Sequence, residues 1–169
     1  MNNYQQTPLI SEALFKQHSP VTSTTDITDF VPYIGIAQEL YIEPILGSEL
    51  TDELKEQIAA DNLSVVNSNL IARIAPALSF YAVYQALPFH WATIVNKGIT
   101  VRESENSRSV DVKDIAQLRR WIKDDADILR QQLSDFLHAH ATDYPLWTVP
   151  EACADKATKF DSGFHFPKH

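Results

Sequence analysis

The longest apolar stretch of the chain, residues 67–98, predicts a helix that is covered on most of its sides. Apolar residues recur through it at helical spacing and others fill the remaining faces, which is typical of a helix buried from several directions. Pro76 and Pro88 each remove one backbone hydrogen bond, so we expect a kinked helix or two collinear pieces. We place this helix, residues 68–96, at the centre of the fold. The recurring positions are Leu70, Ile71, Ile74, Leu78, Tyr81, Ala82 and Phe89.

Two shorter helices are predicted before the central one. The first begins near Thr28, and its apolar residues recur every three or four positions up to Tyr41. Pro44 and Gly47 then break the pattern. A second helix follows over about residues 49–60, with its apolar side inward and its acidic residues outward.

A short alternating run follows the central helix and is typical of a β-strand. It contains Ile99, Val101 and Arg102, and the polar loop that comes next extends to residue 109. A single short strand is marginally stable by itself. We therefore expect it to pair with residues after the loop or to add to a strand of another subunit, which makes these residues candidates for partner binding.

The last long helix is predicted from Val110 to about Ala141. Its apolar residues follow a near-heptad spacing, which favours antiparallel packing against the central helix. Only one face is apolar, so the opposite face contacts water or a partner. The inward positions are Ile115, Leu118, Ile122, Ala126, Leu129, Leu133, Phe136 and His140.

The two ends of the chain differ from the helical body, which we place at residues 26–144. Residues 1–25 hold one short apolar cluster among prolines, serines and threonines, which predicts an N-terminal arm with a small anchor helix. Residues 145–169 are interrupted by prolines and predict a docking tail, bound either to the body or to a neighbour. The aromatic residues of this tail are Trp147, Phe160, Phe164 and Phe166. The fold class is therefore all-α: a compact bundle around a long kinked helix, with a short strand or hairpin loop and extended arms.

Charge and composition narrow the functional classes. The 169 residues include 14 Lys and Arg against 22 Asp and Glu, a formal net charge of −8. This balance disfavours a general phosphate-binding surface. The one cysteine, Cys153, cannot form a disulfide within the chain and indicates a reducing compartment. No secretory signal is apparent, and Arg73 and His90 inside the central stretch favour a protein-buried helix over a membrane span.

No arrangement of residues predicts catalysis. His138 and His140 are two positions apart, which on a helix places them on different faces and not at zinc-ligand spacing. The acids beside Cys153 would raise the pKa of a thiol, and His90 is interpreted as a hydrogen-bonded core histidine. The chain contains no Glu-x-x-His motif and no phosphate-binding glycine loop. We therefore expect no enzyme activity, no cofactor and no metal site.

Three stretches resemble a family of proteins encoded by phages and prophages of Bacteroidetes. The first is FVPYIGIAQELYIEPILGSEL at residues 30–50, and the second is IAPALSFYAVYQALPFHWATIVNKGITVRESENS at residues 74–107. The helix of 111–138 before Tyr144-Pro145 matches mainly in layout. These proteins are similar to the head–tail connector, or adaptor, proteins of tailed phages, including ring proteins in the neck of crAss-like phages.

The resemblance implies a structural virion protein that acts at the head–tail interface and is assembled in the host cytoplasm. The protein would form a homo-oligomeric ring, typically twelve-fold, that contacts the portal protein and other neck and tail rings. DNA would pass through its channel without specific binding, because an acidic surface repels phosphates. No catalytic residue is implied.

Two other functions stay open at this point. A small helical adaptor could bind one protein partner through the exposed face of 111–141. An enzyme with a carboxylate site on its helices is the third alternative, and stoichiometric metal in the purified protein would favour it.

Overall fold

A computed structural model describes residues 7–22, 24–95, 98–101 and 112–149, with the side chains of 91–95, 98–101 and 112 outside the description. The described residues are mostly helical. Two long helices, α5 (Val65–Trp91) and α6 (Val112–Ala139), pack along each other, and the other helices lie against α5 or its neighbours. The shorter helices are α1 (Glu12–His18), α2 (Val31–Ala37), α3 (Glu43–Leu46) and α4 (Ser48–Ala59).

Helix α5 is the centre of the core, as its apolar pattern predicted. Leu78, Tyr81 and Ala86 have no exposed surface, and the helix continues through both of its prolines. It begins earlier than predicted because the hydroxyl of Ser64 caps it, accepting a hydrogen bond from the N–H of Asn67 at 3.1 Å.

The predicted end of this helix at residue 96 was wrong. Helix α5 ends at Trp91, and β1 (Ala92–Val95) follows it directly. Three β-branched residues in succession, from Thr93 to Val95, favour the extended conformation. Strand β1 pairs in antiparallel register with β2 (Gly98–Val101), so within the described residues the partner of β2 is the strand before it.

Residues 31–46 form one helical segment with a defect in the middle. Helix α2 passes into a π-helical turn over Gln38–Ile42, in which the N–H of Glu43 donates to the carbonyl of Gln38, and then into α3. Pro44 has no N–H to donate, which favours this altered hydrogen bonding over the predicted helix break. Gly47 ends α3 with a φ of 78°, a left-handed conformation that glycine adopts without strain.

Part of the predicted N-terminal arm belongs to the core. Leu9, Ile10 and Phe15 are buried, and the ring of Phe15 lies 5.3 Å from that of Phe30. The side chain of Gln38 accepts a hydrogen bond from the N–H of Leu9 at 2.9 Å. Residues 12–18 form a short helix where the sequence predicts the anchor helix of the N-terminal arm, and this part of the arm packs on the core.

Helix α6 ends two residues earlier than predicted and is followed by a 3-10 turn over Ala141–Asp143. Its inward face matches the predicted one except at Leu118 and His140, which are exposed. The hydroxyl of Tyr144 donates to the carbonyl of Val66 at 3.1 Å and ties the end of α6 to the start of α5.

Residues Val65–His90 are the one helix in the described part of the chain that is long and apolar enough to cross a membrane. Of its most apolar window, 61% is buried inside the protein. Such burial is typical of the central helix of a water-soluble domain, which passes the same test of length and composition.

Candidate partner-binding surfaces

The structure describes the residues predicted to bind partners to different extents. Arg102, Phe160, Phe164 and Phe166 lie outside the described residues, and Ile99 and Val101 are described only as backbone within β2. Trp147 is described in full, and it is 7% exposed.

Trp147 is bound by its own chain. Its indole N–H donates to the carbonyl of Ile45 at 2.8 Å, and the ring of His138 meets its ring edge-on at 4.9 Å. Both bonding and packing are thus satisfied within one protomer. The sequence left open whether the tail docks on the body or on a neighbour, and Trp147 docks on the body. Its side chain is therefore not available to a partner.

The largest exposed apolar side chains of α6 form one line along the helix. Leu118, Trp121 and Ile128 are 41%, 59% and 58% exposed. Separations of three and seven residues place them on one face, so we name these three residues the apolar strip. A tryptophan and an isoleucine that expose more than half of their surface are costly in water and typical of contact surfaces.

A shallow groove runs beside the apolar strip, between α5 and α6. It has a volume of about 260 Å³. Pro76 has no N–H for the carbonyl of Ala72 four residues earlier, so that carbonyl lacks its usual helical donor at the edge of the groove. Its lining is Ala72, Arg73, Pro76, Leu129, Gln132 and Leu133.

The other flank of α6 forms a second cleft with the end of α5. It has a volume of about 430 Å³ and joins apolar surface to positive charge. Arg119, Arg120 and Lys123 bring its cations, which are close together because α6 presents them within about one helical turn. We name it the basic cleft and define it by Tyr84, Pro88, Ile115, Arg119, Arg120 and Lys123.

A proline fixes one wall of the basic cleft. Pro88 cannot donate to the carbonyl of Tyr84, and the Nε–H of Arg119 donates to that carbonyl instead, at 3.3 Å. The guanidinium of Arg119 also lies 4.0 Å from the centre of the Tyr84 ring, a favourable cation–π distance. Arg119 is therefore held in place before any partner binds.

Polar contacts below the cleft connect three segments of the chain. The hydroxyl of Tyr81 donates to Asp127 Oδ1 at 2.5 Å, and Lys123 Nζ donates to Asp127 Oδ2 at 2.5 Å. The ring of Tyr81 stacks on that of Tyr41 at 3.9 Å, and the hydroxyl of Tyr41 accepts a hydrogen bond from Gln85 at 2.7 Å. The π-helical turn, α5 and α6 are thus joined at one point.

The protonation of this group follows from its contacts. Burial raises the pKa of Tyr81, and its bond to Asp127 raises it further. Burial alone would raise the pKa of Asp127, but the hydrogen bonds from Lys123 and Tyr81 outweigh it, so that pKa lies below the usual aspartate value. At neutral pH Tyr81 is a neutral donor to a carboxylate, and Asp127 partly neutralises Lys123.

Both flanks of α6 differ from what the sequence pattern predicts. Leu118 is exposed, although its spacing predicts an inward position, and the spacing of Trp121 and Ile128 places them on the same face as Leu118. Arg119, Arg120 and Lys123 belong to a stretch in which Asp114 and Asp124 to Asp127 offset their charge, a pattern typical of a solvated helix face. Within the described residues, no group of three or more His, Cys, Asp or Glu side chains is placed to hold a metal ion.

Comparison with known proteins gives one family. Residues 42–157 match the sequence model of a family of unknown function (DUF6712). The match spans more than half of the chain and includes the apolar strip and the basic cleft, whereas α1 and α2 precede it. No curated protein matches the chain, and no solved structure does.

Proposed function

We propose that this chain, which belongs to the family of unknown function DUF6712, is a structural head–tail connector protein of a tailed-phage virion. In this role it forms an oligomeric ring, typically twelve-fold, between portal and tail and extends the DNA channel. The protein acts through its surfaces and not through a catalytic site. The resemblance of residues 30–50 and 74–107 to such connectors supports the proposal.

The observation that carries the proposal is the apolar strip on α6. Leu118, Trp121 and Ile128 are exposed on a helix whose inward face is already packed against α5. A helix face of this kind is suited to contact another protein, since burying it removes apolar surface from water. A subunit that contacts neighbours on more than one side needs such a surface outside its own core.

The net charge of −8 supports the same role. A ring around a DNA channel works without gripping phosphates, because tight binding would impede the passage of DNA. The protein therefore has a charge suited to a channel and unsuited to stable DNA binding.

The test is assembly on the portal. We expect the purified protein to add a ring of density to portal-containing particles in negative stain. The double substitution Trp121→Asp and Ile128→Asp should abolish this density, because it places two charges in a surface that assembly would bury. Val65→Asp is the matched control: Val65 is 89% exposed at the start of α5, where a negative charge is tolerated, and this variant should still assemble.

One result would overturn the connector proposal itself, and a second would overturn only the role of the apolar strip. One is a wild-type protein that never joins portal-containing particles. The other is a strip variant that joins them as well as the wild type does, which would remove the strip from the interface.

A small adaptor that binds one protein partner is the second candidate, since the apolar strip would serve it equally. The two functions differ in stoichiometry. The light-scattering mass of the complex with portal should correspond to a ring of copies for a connector. A single copy bound to the whole portal assembly would favour the adaptor.

A further inference from the structure

We propose that the basic cleft of one copy receives the acidic outer face of α4 of a second copy. The proposal rests on the connector function, in which copies of the chain contact one another, and it names the two surfaces that meet. Both surfaces lie on the described part of the chain, and Arg120 of the cleft and the acidic residues of α4 lie outside the core.

The three cations of the basic cleft differ in how far their own chain pairs them. Arg120 is exposed, and no ion pair of Arg120 is present among the described residues. Arg119 is fixed by Tyr84, whereas Lys123 is shared with Asp127. Apolar surface from Pro88 and Ile115 lies beside these cations. A partner that fits must therefore bring carboxylates together with small apolar groups.

The outer face of α4 has this composition. Glu49, Asp52 and Glu56 are exposed, and their separations of three and four residues place them in one line. Ala60, four residues after Glu56, continues the line as a small apolar group and is exposed as well. The one cation of α4, Lys55, is paired with Glu43 at 2.6 Å, so it does not neutralise this face.

The two surfaces lie toward opposite ends of α5. Helix α4 is bound near the start of α5, where the side chain of Asn67 donates to Glu53 at 3.2 Å. The basic cleft includes Tyr84, about 17 residues further along, which is roughly 26 Å at the rise of an α-helix. One copy cannot close this distance on itself, so the contact joins different copies head to tail. Contacts of this type form rings when the rotation between copies closes.

A nucleic acid is the other occupant that clustered cations could accept. The apolar lining of the cleft and the net charge of −8 favour an acidic protein surface instead.

The test uses two charge reversals on exposed residues, Arg120→Glu and Glu56→Lys. Contacts between copies are captured by carbodiimide cross-linking of a mixture of ¹⁴N- and ¹⁵N-labelled full-length protein. Mixed-isotope peptides then identify links between different molecules. We expect wild-type protein to link Lys123 of one copy to Asp52 or Glu56 of another.

Each reversal alone should reduce the Lys123–Asp52 link, which both variants can still form, by about tenfold, because like charges then meet at every contact. Mixing the two variants should restore the links. The reversed cleft of one variant then meets the reversed α4 face of the other, and the unchanged cleft of the second meets the unchanged α4 face of the first. Arg130→Glu, on the same helix but outside the cleft, is the matched control and should leave the links unchanged.

Three results would overturn the proposal. They are the absence of these links in wild-type protein, equal links in wild type and both variants, and loss of the links when duplex DNA is added. Failure here is distinct from failure of the connector function. If the protein joins portal particles without these links, the connector function stands and the proposed contact is wrong. If the links form and are rescued but the protein never joins portal particles, the contact stands and the connector function is wrong.

Discussion

Helices α5 and α6 have almost the same length, 27 and 28 residues, but they relate to solvent in opposite ways. Helix α5 is contacted by α1, α2, the π-helical turn and α6, so its apolar residues are covered from several directions. Helix α6 packs mainly on α5 and leaves two flanks open, the apolar strip and the basic cleft.

The difference shows that the contribution of an apolar residue to stability depends on whether the chain covers the helix face that carries it. On α5 the chain itself covers the apolar surface, which stabilises the fold. On α6 a similar apolar residue is left outside the core and is available for contact. The same substitution should therefore have different consequences on the two helices.

The largest expected effect is the substitution of a leucine in α5. Leu78 has no exposed surface, so Leu78→Ala should lower the free energy of unfolding by about 2–5 kcal/mol, through lost transfer energy and a residual cavity. Leu118→Ala on α6 makes the same chemical change at a residue that is 41% exposed and should cost under about 1 kcal/mol. Urea denaturation followed by circular dichroism measures both, and equal losses would remove the distinction between the helices.

The next effect concerns Trp147, which extends the covered part of the molecule beyond α6. Trp147→Ala should destabilise the protein by about 3 kcal/mol, because it removes a buried ring and leaves the carbonyl of Ile45 without its donor. Val149→Ala, at an exposed residue nearby, is the control and should be nearly neutral. Unchanged stability of the Trp147 variant in urea would contradict its docking on the body.

A smaller effect is expected at the point where α5 and α6 share hydrogen bonds. Asp127→Asn should cost about 1 kcal/mol at pH 7, a low value for a bond to a charged group because the side chain of Asp127 is 41% exposed. The native pKa of Asp127 lies below its unfolded value, so its stabilisation is present above about pH 4 and is lost as the pH falls through the native pKa. Denaturation of both proteins between pH 3 and pH 7 measures this, and a difference that grew toward low pH would show the opposite sign.

The smallest effect on stability is expected at the apolar strip. Trp121→Ala and Ile128→Ala should each change the free energy of unfolding by no more than about 0.5 kcal/mol, although both remove large apolar side chains. Thermal denaturation of the separate variants measures this. A loss above about 2 kcal/mol would mean that the chain covers the strip itself, and it would then not be available to a partner.

The apolar pattern alone located the core of the fold. Leu70, Ile74 and Leu78 recur at helical spacing, and all three are fully buried in α5. The end of that helix could not be read from the same pattern, since the apolar residues Ala92, Ile94 and Val95 are compatible with either conformation and only the β-branching of residues 93–95 indicates a strand.

The role of the prolines in α5 depended on residues distant in sequence. Pro88 frees the carbonyl of Tyr84, but only the packing of α6 brings Arg119 to that carbonyl. The basic cleft is a product of this tertiary contact, so the positions of its residues along the chain do not predict it. The apolar strip differs, because the spacing of Trp121 and Ile128 on a predicted helix was sufficient to find it.

Trp121 and Trp147 lie in different environments, which indole fluorescence can distinguish. Trp121 is open to solvent, whereas Trp147 is enclosed beside His138, so their indole emission should differ in wavelength and in quenching by iodide. The spectrum of the wild type minus that of Trp121→Phe isolates the exposed indole. A blue shift of this difference spectrum on adding portal would report, in real time, that the face of α6 has been covered.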